Sequence, residues 1–290
     1  MSGPARQKAR AGAGTLYVVA TPIGNLGDLS PRAAEVLRSV RAVAAEDTRR
    51  TLRLYAHLGA APPPLVSLPA FDERARAGSV ISRLLAGEDV ALCTDAGTPS
   101  VSDPGEALVA AAWEAGVRVV PVPGPCAAVA ALVASGLPTA RFLVAGFLPR
   151  KGTSRAAALR WMAGVPATLV LYEAGNRAAA TLKDLARALG DRPAVLAREL
   201  TKLHEEIARG RLSELADRFA GEVRGEVTLV VAGAEAAARV EEPSEDLDVE
   251  LRRRLAAGDP PSEIARTEAR ARGLVRREVY ARLEELKRGG

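Results

Sequence analysis

The sequence predicts an α/β protein made of two tandem α/β domains with a small helical segment at the end. Three observations carry that prediction. Short β-rich apolar runs alternate with helical stretches, the loops after those runs are rich in Gly, Pro and Thr, and 290 residues are too many for one small core. Hydrophobic residues make up 48% of the chain and charged residues 26%, a globular composition that argues against wholesale disorder. The apolar runs are short or broken by proline, as between Val117 and Pro138, so none supplies the ~20 uninterrupted apolar residues of a bilayer span.

Residues 1–13 are basic and rich in Gly and Ala without the apolar stretch of a secretory signal, and read as a disordered tail. Residues 16–20 form a β-rich run that leads into Thr21-Pro22-Ile23-Gly24-Asn25, and Ser30-Pro31 is an N-cap and first-turn pair that starts a helix. Residues 41–45 lead as a strand into Glu46-Asp47-Thr48-Arg49. Residues 90–93 lead into the loop that begins at Thr94, with a helix over 104–115 and a strand over 117–122. This first domain spans 14–122, and alternation of this kind points to a largely parallel sheet.

The second domain spans 123–235. It begins with a buried helix over 126–135, followed by strands at 142–147, 167–172, 194–197 and 226–232 and helices at 153–162, 176–189 and 213–220. An acidic linker, 236–250, precedes a basic helical segment, 251–290. Helices over 262–271 and 276–286, joined around Gly273, give that segment the shape of a helix-turn-helix or of a plain solvated hairpin.

The net charge is +5, and residues 251–290 alone hold eleven Arg or Lys against six Asp or Glu, so the polyanion-facing character is concentrated near the ends. Two cysteines, Cys93 and Cys126, without metal-ligand spacing fit a reducing cytoplasm. His57 and His204 are too few and too far apart in sequence for a His-based metal site or a Ser-His-Asp triad, so metal-free chemistry is expected.

Ligands of open α/β sheets bind beyond the carboxyl ends of the strands, which puts three loops forward. The first, Thr21 to Asn25, lacks the GxGxxG spacing of a dinucleotide fingerprint, so a Rossmann cofactor is disfavoured. The second, from Asp95 to Gly105, packs small residues, two carboxylates and prolines together, which lets backbone groups approach a ligand closely. The third, Pro121 to Ala128, pre-sets the backbone with three prolines ahead of a helix N-terminus suited to a carboxylate. Any one of these could be a structural turn; three, each after a strand, point to a shared pocket.

Taken together, Thr21-Pro22-Ile23-Gly24-Asn25-Leu26, Glu46-Asp47-Thr48-Arg49, Asp95-Ala96-Gly97-Thr98-Pro99 with Ser102-Asp103-Pro104-Gly105, Pro123-Gly124-Pro125-Cys126-Ala127 and Glu199-Leu200-Thr201-Lys202 resemble the ribosomal RNA small subunit methyltransferase I family, over roughly residues 14 to 235. The resemblance implies a tetrapyrrole-methylase fold with S-adenosylmethionine in a cleft between two domains, a homodimer, and 2′-O-methylation of a cytidine in the decoding region of 16S rRNA. It implies cofactor contacts from Pro22, Gly24, Asp95, Gly97, Thr98, Pro123, Gly124, Cys126 and Ala127. Strand ends of the second domain, Tyr172, Ala197, Arg198, Val227 and Thr228, are expected to close over the cofactor. The chain departs from the family at Phe71-Asp72-Glu73-Arg74 and at Asn176-Arg177, where histidines are expected, so a role for either histidine does not carry over.

Methyl transfer from a sulfonium needs a positioned nucleophile, and a hydroxyl nucleophile needs a base or a cation for its alkoxide. Asp47 is the candidate base, Arg49 the phosphate or alkoxide partner, and Lys202 a further cation, one of only five lysines in the chain. Arg49, Arg150, Lys151, Arg177, Arg276 and Arg277 are candidate contacts to RNA or to an assembled small subunit. Two alternatives stay open at this point: a methylase of the same fold acting on a tetrapyrrole-like small molecule, and a non-catalytic RNA-binding module.

Overall fold

A computed structural model describes residues 10–221, 223, 225–234, 245–272 and 274–288. The first sheet is built from β1 (Thr15–Val19), β2 (Ala42–Ala45), β3 (Leu65–Ser67), β4 (Val90–Cys93) and β5 (Arg118–Val122) in the order β3-β2-β4-β1-β5, with every pairing parallel. Connecting helices are α1 (Pro31–Ser39), α2 (Thr48–Leu58), α3 (Glu73–Leu85) and α4 (Glu106–Glu114). Both sheet faces are covered. Leu16, Ala42, Ala44 and Leu92 pack with Val80, Leu84 and Leu108 of α3 and α4, while Val19, Val43, Ala45 and Cys93 pack with Leu37, Leu54 and Tyr55 of α1 and α2. That two-sided burial is why β2 and β4 read as unbroken apolar runs, AVAA and VALC, instead of alternating ones.

The second sheet follows α5 (Ala127–Ser135). It holds β6 (Phe142–Phe147), β7 (Thr168–Ala174), β8 (Pro193–Arg198), β9 (Glu206–Arg211) and β10 (Glu226–Val231), ordered β6-β7-β10-β8-β9, with α6 (Gly152–Ala163), α7 (Ala178–Leu189) and α8 (Leu212–Arg218). Only β6 and β7 pair in parallel; β10 runs antiparallel between β7 and β8, and β9 folds back on β8 as a hairpin. The expectation of a largely parallel sheet therefore holds for the first sheet and is corrected for the second. Successive residues of the central strands alternate between two cores: Leu169, Leu171, Leu196 and Leu229 meet α6, α7 and α8, and Val170, Val195, Ala197 and Val230 meet α5.

Both sheets lie in one compact unit, Met1–Ala234, and the remainder, Glu235–Gly290, forms another. Within the latter, α9 (Glu245–Ala256), α10 (Pro261–Arg272) and α11 (Arg276–Arg288) bury Leu247, Leu251, Ile264, Val279 and Leu283 against one another. The acidic linker is thereby corrected in part. Residues 245–250 are the first turns of α9, whose Leu247 and Leu251 stand one turn apart on the buried face, and 236–244 lie outside the described residues. The basic tail is corrected likewise, since Arg10 donates its backbone N–H to Gly116 O at 3.0 Å. Residues 1–9 lie outside the description.

Candidate functional site

Because all strands of the first sheet are parallel, the loops after β1, β2, β4 and β5 emerge along one edge. In the second sheet the carboxyl ends of β7 and β8 lie beside the amino end of antiparallel β10, which pairs Thr228 with both Tyr172 and Ala197. These two edges enclose a cavity of about 430 Å³, within the size range of small-molecule and cofactor sites.

Hydrogen bonds tie the first-sheet loops into one wall. Thr21 and Gly97 exchange backbone bonds of 2.8 and 3.0 Å, and Thr98 Oγ1 donates to Pro125 O at 3.0 Å. Gly124 sits so close to β1 that a Cβ there would lie 3.0 Å from Ala20 Cβ. The wall also meets the loop after β8: Asn25 N donates to Thr201 Oγ1 at 3.0 Å, and a Cβ on Gly24 would lie 2.5 Å from Lys202 Cγ. Four non-glycine residues with left-handed backbone, Ser100, Ser102, Glu199 and Thr201, all fall in the loops after β4 and β8. Backbone strain of this kind collects at ligand sites.

Carboxylates dominate the charge on the cavity wall. Glu46, Asp95, Asp103, Glu173, Glu199 and Glu226 face only two cations, Arg50 and Lys202. Glu46 Oε2 accepts the Asp95 N–H at 3.1 Å, while Asp95 accepts the Asp47 N–H at 3.1 Å and pairs with Arg50 at 3.3 Å. Burial raises the pKa of both, with Arg50 pulling each the other way. Asp103 is pushed up to about 7, first by burial and then by the charges of Glu46, Asp95 and Glu226. Lys202 lies 3.0 Å from Glu199 and 3.8 Å from Glu226. Opposite, the Tyr172 hydroxyl accepts the Ala128 N–H of α5 at 3.2 Å, and its ring packs on Phe147 at 5.6 Å between centroids.

Of the residues that the sequence put forward, Asp95, Gly97, Thr98, Cys126, Ala127, Tyr172, Val227, Thr228 and Lys202 line this one cavity. Pro22, Gly24, Pro123 and Gly124 lie in the loops behind that lining. Ala197 is buried in the core beneath α5 and Arg198 is held by Glu206 at 2.6 Å, so neither is on the wall. Asp47 also turns away from it: its carboxylate caps α2 and takes two bonds from the Arg49 guanidinium, of 3.0 and 2.6 Å. Those bonds hold Asp47 down at about 2. Arg49 is 85% exposed, Arg177 pairs with Glu173 at 3.3 Å, Arg150 and Lys151 are exposed beyond β6, and Arg276 and Arg277 open α11 in the separate helical unit. Arg50, Ser102, Asp103 and Phe147 reach the cavity without having been singled out as site residues. Asp103 belongs to the loop after β4, where the Pro104-Gly105 pair that follows it was the available signal.

A family model for tetrapyrrole (corrin/porphyrin) methylases matches residues 15–216. A protein named ribosomal RNA small subunit methyltransferase I from Xylella fastidiosa is 48% identical over 273 residues, covering 92% of this chain and 98% of its own. One of the same name from Synechocystis is 44% identical over 279 residues, covering 96% and 100%. The chain belongs to the ribosomal RNA small subunit methyltransferase I family. A solved structure of the native form of uroporphyrin III C-methyl transferase from Thermus thermophilus is similar to this family member, with a TM-score of 0.55 at 25% identity over 76% of this chain and 97% of that one. A diphthine synthase structure, at a TM-score of 0.59 and 19% identity over 75% and 90%, shares the tetrapyrrole-methylase fold. The matched region takes in all of the first sheet and most of the second.

Proposed function

We propose that the chain transfers a methyl group from S-adenosylmethionine to the ribose 2′-hydroxyl of a cytidine in the decoding region of 16S rRNA. The observation that carries the reading is the cavity itself, closed by loops from both sheets and lined by six carboxylates against two cations, which suits a cationic small molecule. A solved structure of the same fold, a Thermus thermophilus uroporphyrin-III C-methyl transferase, is complexed with S-adenosyl homocysteine, and the names of the curated relatives specify ribosomal RNA of the small subunit.

S-adenosylmethionine supplies a methyl group already activated on sulfonium, so no metal is required. Backbone groups of Gly97, Thr98, Cys126 and Ala127 would hold the cofactor, with Tyr172, Val227 and Thr228 against its other side. The chain's task is then to orient the hydroxyl, accept its proton and exclude water. Arg50 and Lys202, the two cations on the wall, are each paired with a carboxylate, and exposed Arg49, Arg150 and Lys151 supply positive charge outside it for a substrate phosphate. Such a substrate fits a protein of the cytoplasm. The resemblance also implies a homodimer, which a solution mass twice that of one chain would establish.

The test offers labelled S-adenosylmethionine with small ribosomal subunits lacking the modification, naked rRNA, or a porphyrinogen as acceptor. Label entering small-subunit RNA is the expected result. Label entering only the porphyrinogen would replace this reading by a small-molecule methylase, and cofactor-free RNA binding would replace it by a non-catalytic module.

A further inference from the structure

We propose that Asp103 is the catalytic proton acceptor of the methyl transfer, a role that rests on the functional reading above. Five of the six carboxylates on the cavity wall are engaged by partners. Glu46 is occupied by the Asp95 amide, Asp95 by the Asp47 amide and Arg50, and Glu199 by Lys202 at 3.0 Å and the Glu226 amide at 3.3 Å. Glu173 is buried and takes bonds from Thr181 Oγ1 at 2.7 Å and from the Ala174 amide at 2.9 Å. Glu226 is largely exposed and leans toward Lys202. Asp103 alone of the six makes no hydrogen bond or ion pair among the described residues, and the charges it feels most are those of Glu46, Asp95 and Glu226, all of its own sign.

The charge of the wall sets the chemistry. An excess of carboxylates opposes a free alkoxide, so the hydroxyl proton has to leave as the new bond forms, onto a base that is within the cavity and not already neutralised. As the ribose oxygen bonds to the methyl carbon, the carbon–sulfur bond breaks with its electron pair going to sulfur, and the proton passes to the Asp103 carboxylate. The products are the methyl ether, a neutral thioether and a protonated Asp103 that returns its proton to solvent. Burial and the like charges keep Asp103 near the working pH, where a general base is most effective. The other titratable groups facing the cavity are the paired Arg50 and Lys202, Cys126, and Tyr172, whose pKa is raised out of the working range by burial.

Single-turnover transfer to undermethylated small subunits, measured against pH for wild type, Asp103→Asn and Asp103→Glu, tests the assignment alongside calorimetric titration with S-adenosylmethionine. Asp103→Asn should lower the rate about 10²- to 10⁴-fold and abolish the ascending limb near pH 7, while cofactor affinity stays within about threefold. Asp103→Glu should restore part of the rate with the limb displaced. A D103N rate within about tenfold of wild type, a limb unchanged in D103N, or loss of cofactor binding in both variants would overturn the role. Wild-type protein that methylates no rRNA would overturn the functional reading and this role with it, whereas active wild type with equally active D103N would overturn the role alone.

Discussion

Replacing Tyr172 by Phe deletes a single hydroxyl that joins the second sheet to the first turn of α5. Cys126, the N-cap of α5, contributes no side-chain cap, and the Ala128 N–H instead donates to Tyr172 Oη at 3.2 Å. Phenylalanine keeps the ring packing on Phe147 and leaves that N–H without its acceptor. A net hydrogen bond is worth about 0.5–1.5 kcal/mol, and a cavity-edge N–H can be rehydrated, so a loss of about 1 kcal/mol is expected. For a unit of this size that lowers the melting temperature by about 2–4 °C. The loosened turn carries Cys126 and Ala127, which line the cavity, so it must be re-ordered when a ligand binds. If that full loss falls on binding, affinity for S-adenosylmethionine drops about fivefold. Differential scanning calorimetry and isothermal titration read the two effects. A melting temperature within about 0.5 °C of wild type together with unchanged affinity would refute the capping role.

Three further outcomes follow from the same geometry. Gly24→Ala sets a Cβ 2.5 Å from Lys202 Cγ and 2.8 Å from Thr201 Oγ1, so kcat/KM for methyl transfer should fall about tenfold at an overpacking cost of about 1–3 kcal/mol, with circular dichroism unchanged. Asp47→Ala should lower the melting temperature at neutral pH by removing the α2 cap, with the difference lost as pH falls from about 4 to the folded value of about 2, and should leave the ascending limb of the rate profile near pH 7 in place. Asp103 has the opposite sign: its folded pKa of about 7 lies above the ordinary 3.8, so the folded state holds the extra proton and stability declines as pH rises through that window. Asp103→Asn should therefore melt higher than wild type at about pH 8 and alike at about pH 4, and a D103N melting point below wild type at the higher pH would contradict an uncompensated carboxylate.

The strands and loops that build the cavity are legible in the sequence because their signals are local. Ser30-Pro31 caps α1 as its residue types dictate, and the runs at β2 and β4 are apolar throughout because both faces are covered. Five elements were not legible. The α2 helix carries three Arg and His57 among its eleven positions, β3 has three residues, α3 opens on charged residues, β9 alternates with arginines, and α9 is dense in Asp, Glu and Arg, so composition hid their periodicity. The antiparallel entry of β10 depends on pairing between strands far apart in sequence, which no local pattern encodes. The same distinction separates Asp47 from Asp103. Asp47 stands out in its motif but spends its carboxylate on its own helix, whereas Asp103 gains its character from Glu46, Asp95 and Glu226, which only the fold brings near it.

The proposed acceptor of the methyl group is a ribose oxygen of the small-subunit RNA. The most direct test is to treat undermethylated small subunits with the protein and S-adenosylmethionine, hydrolyse the extracted 16S rRNA in alkali, and map the resistant linkage. A 2′-O-methyl group blocks the neighbouring phosphodiester from alkaline cleavage, so one new resistant dinucleotide beginning with a cytidine of the decoding region is expected. Methyl label recovered on a base, or no resistant linkage after label has entered the RNA, would contradict it.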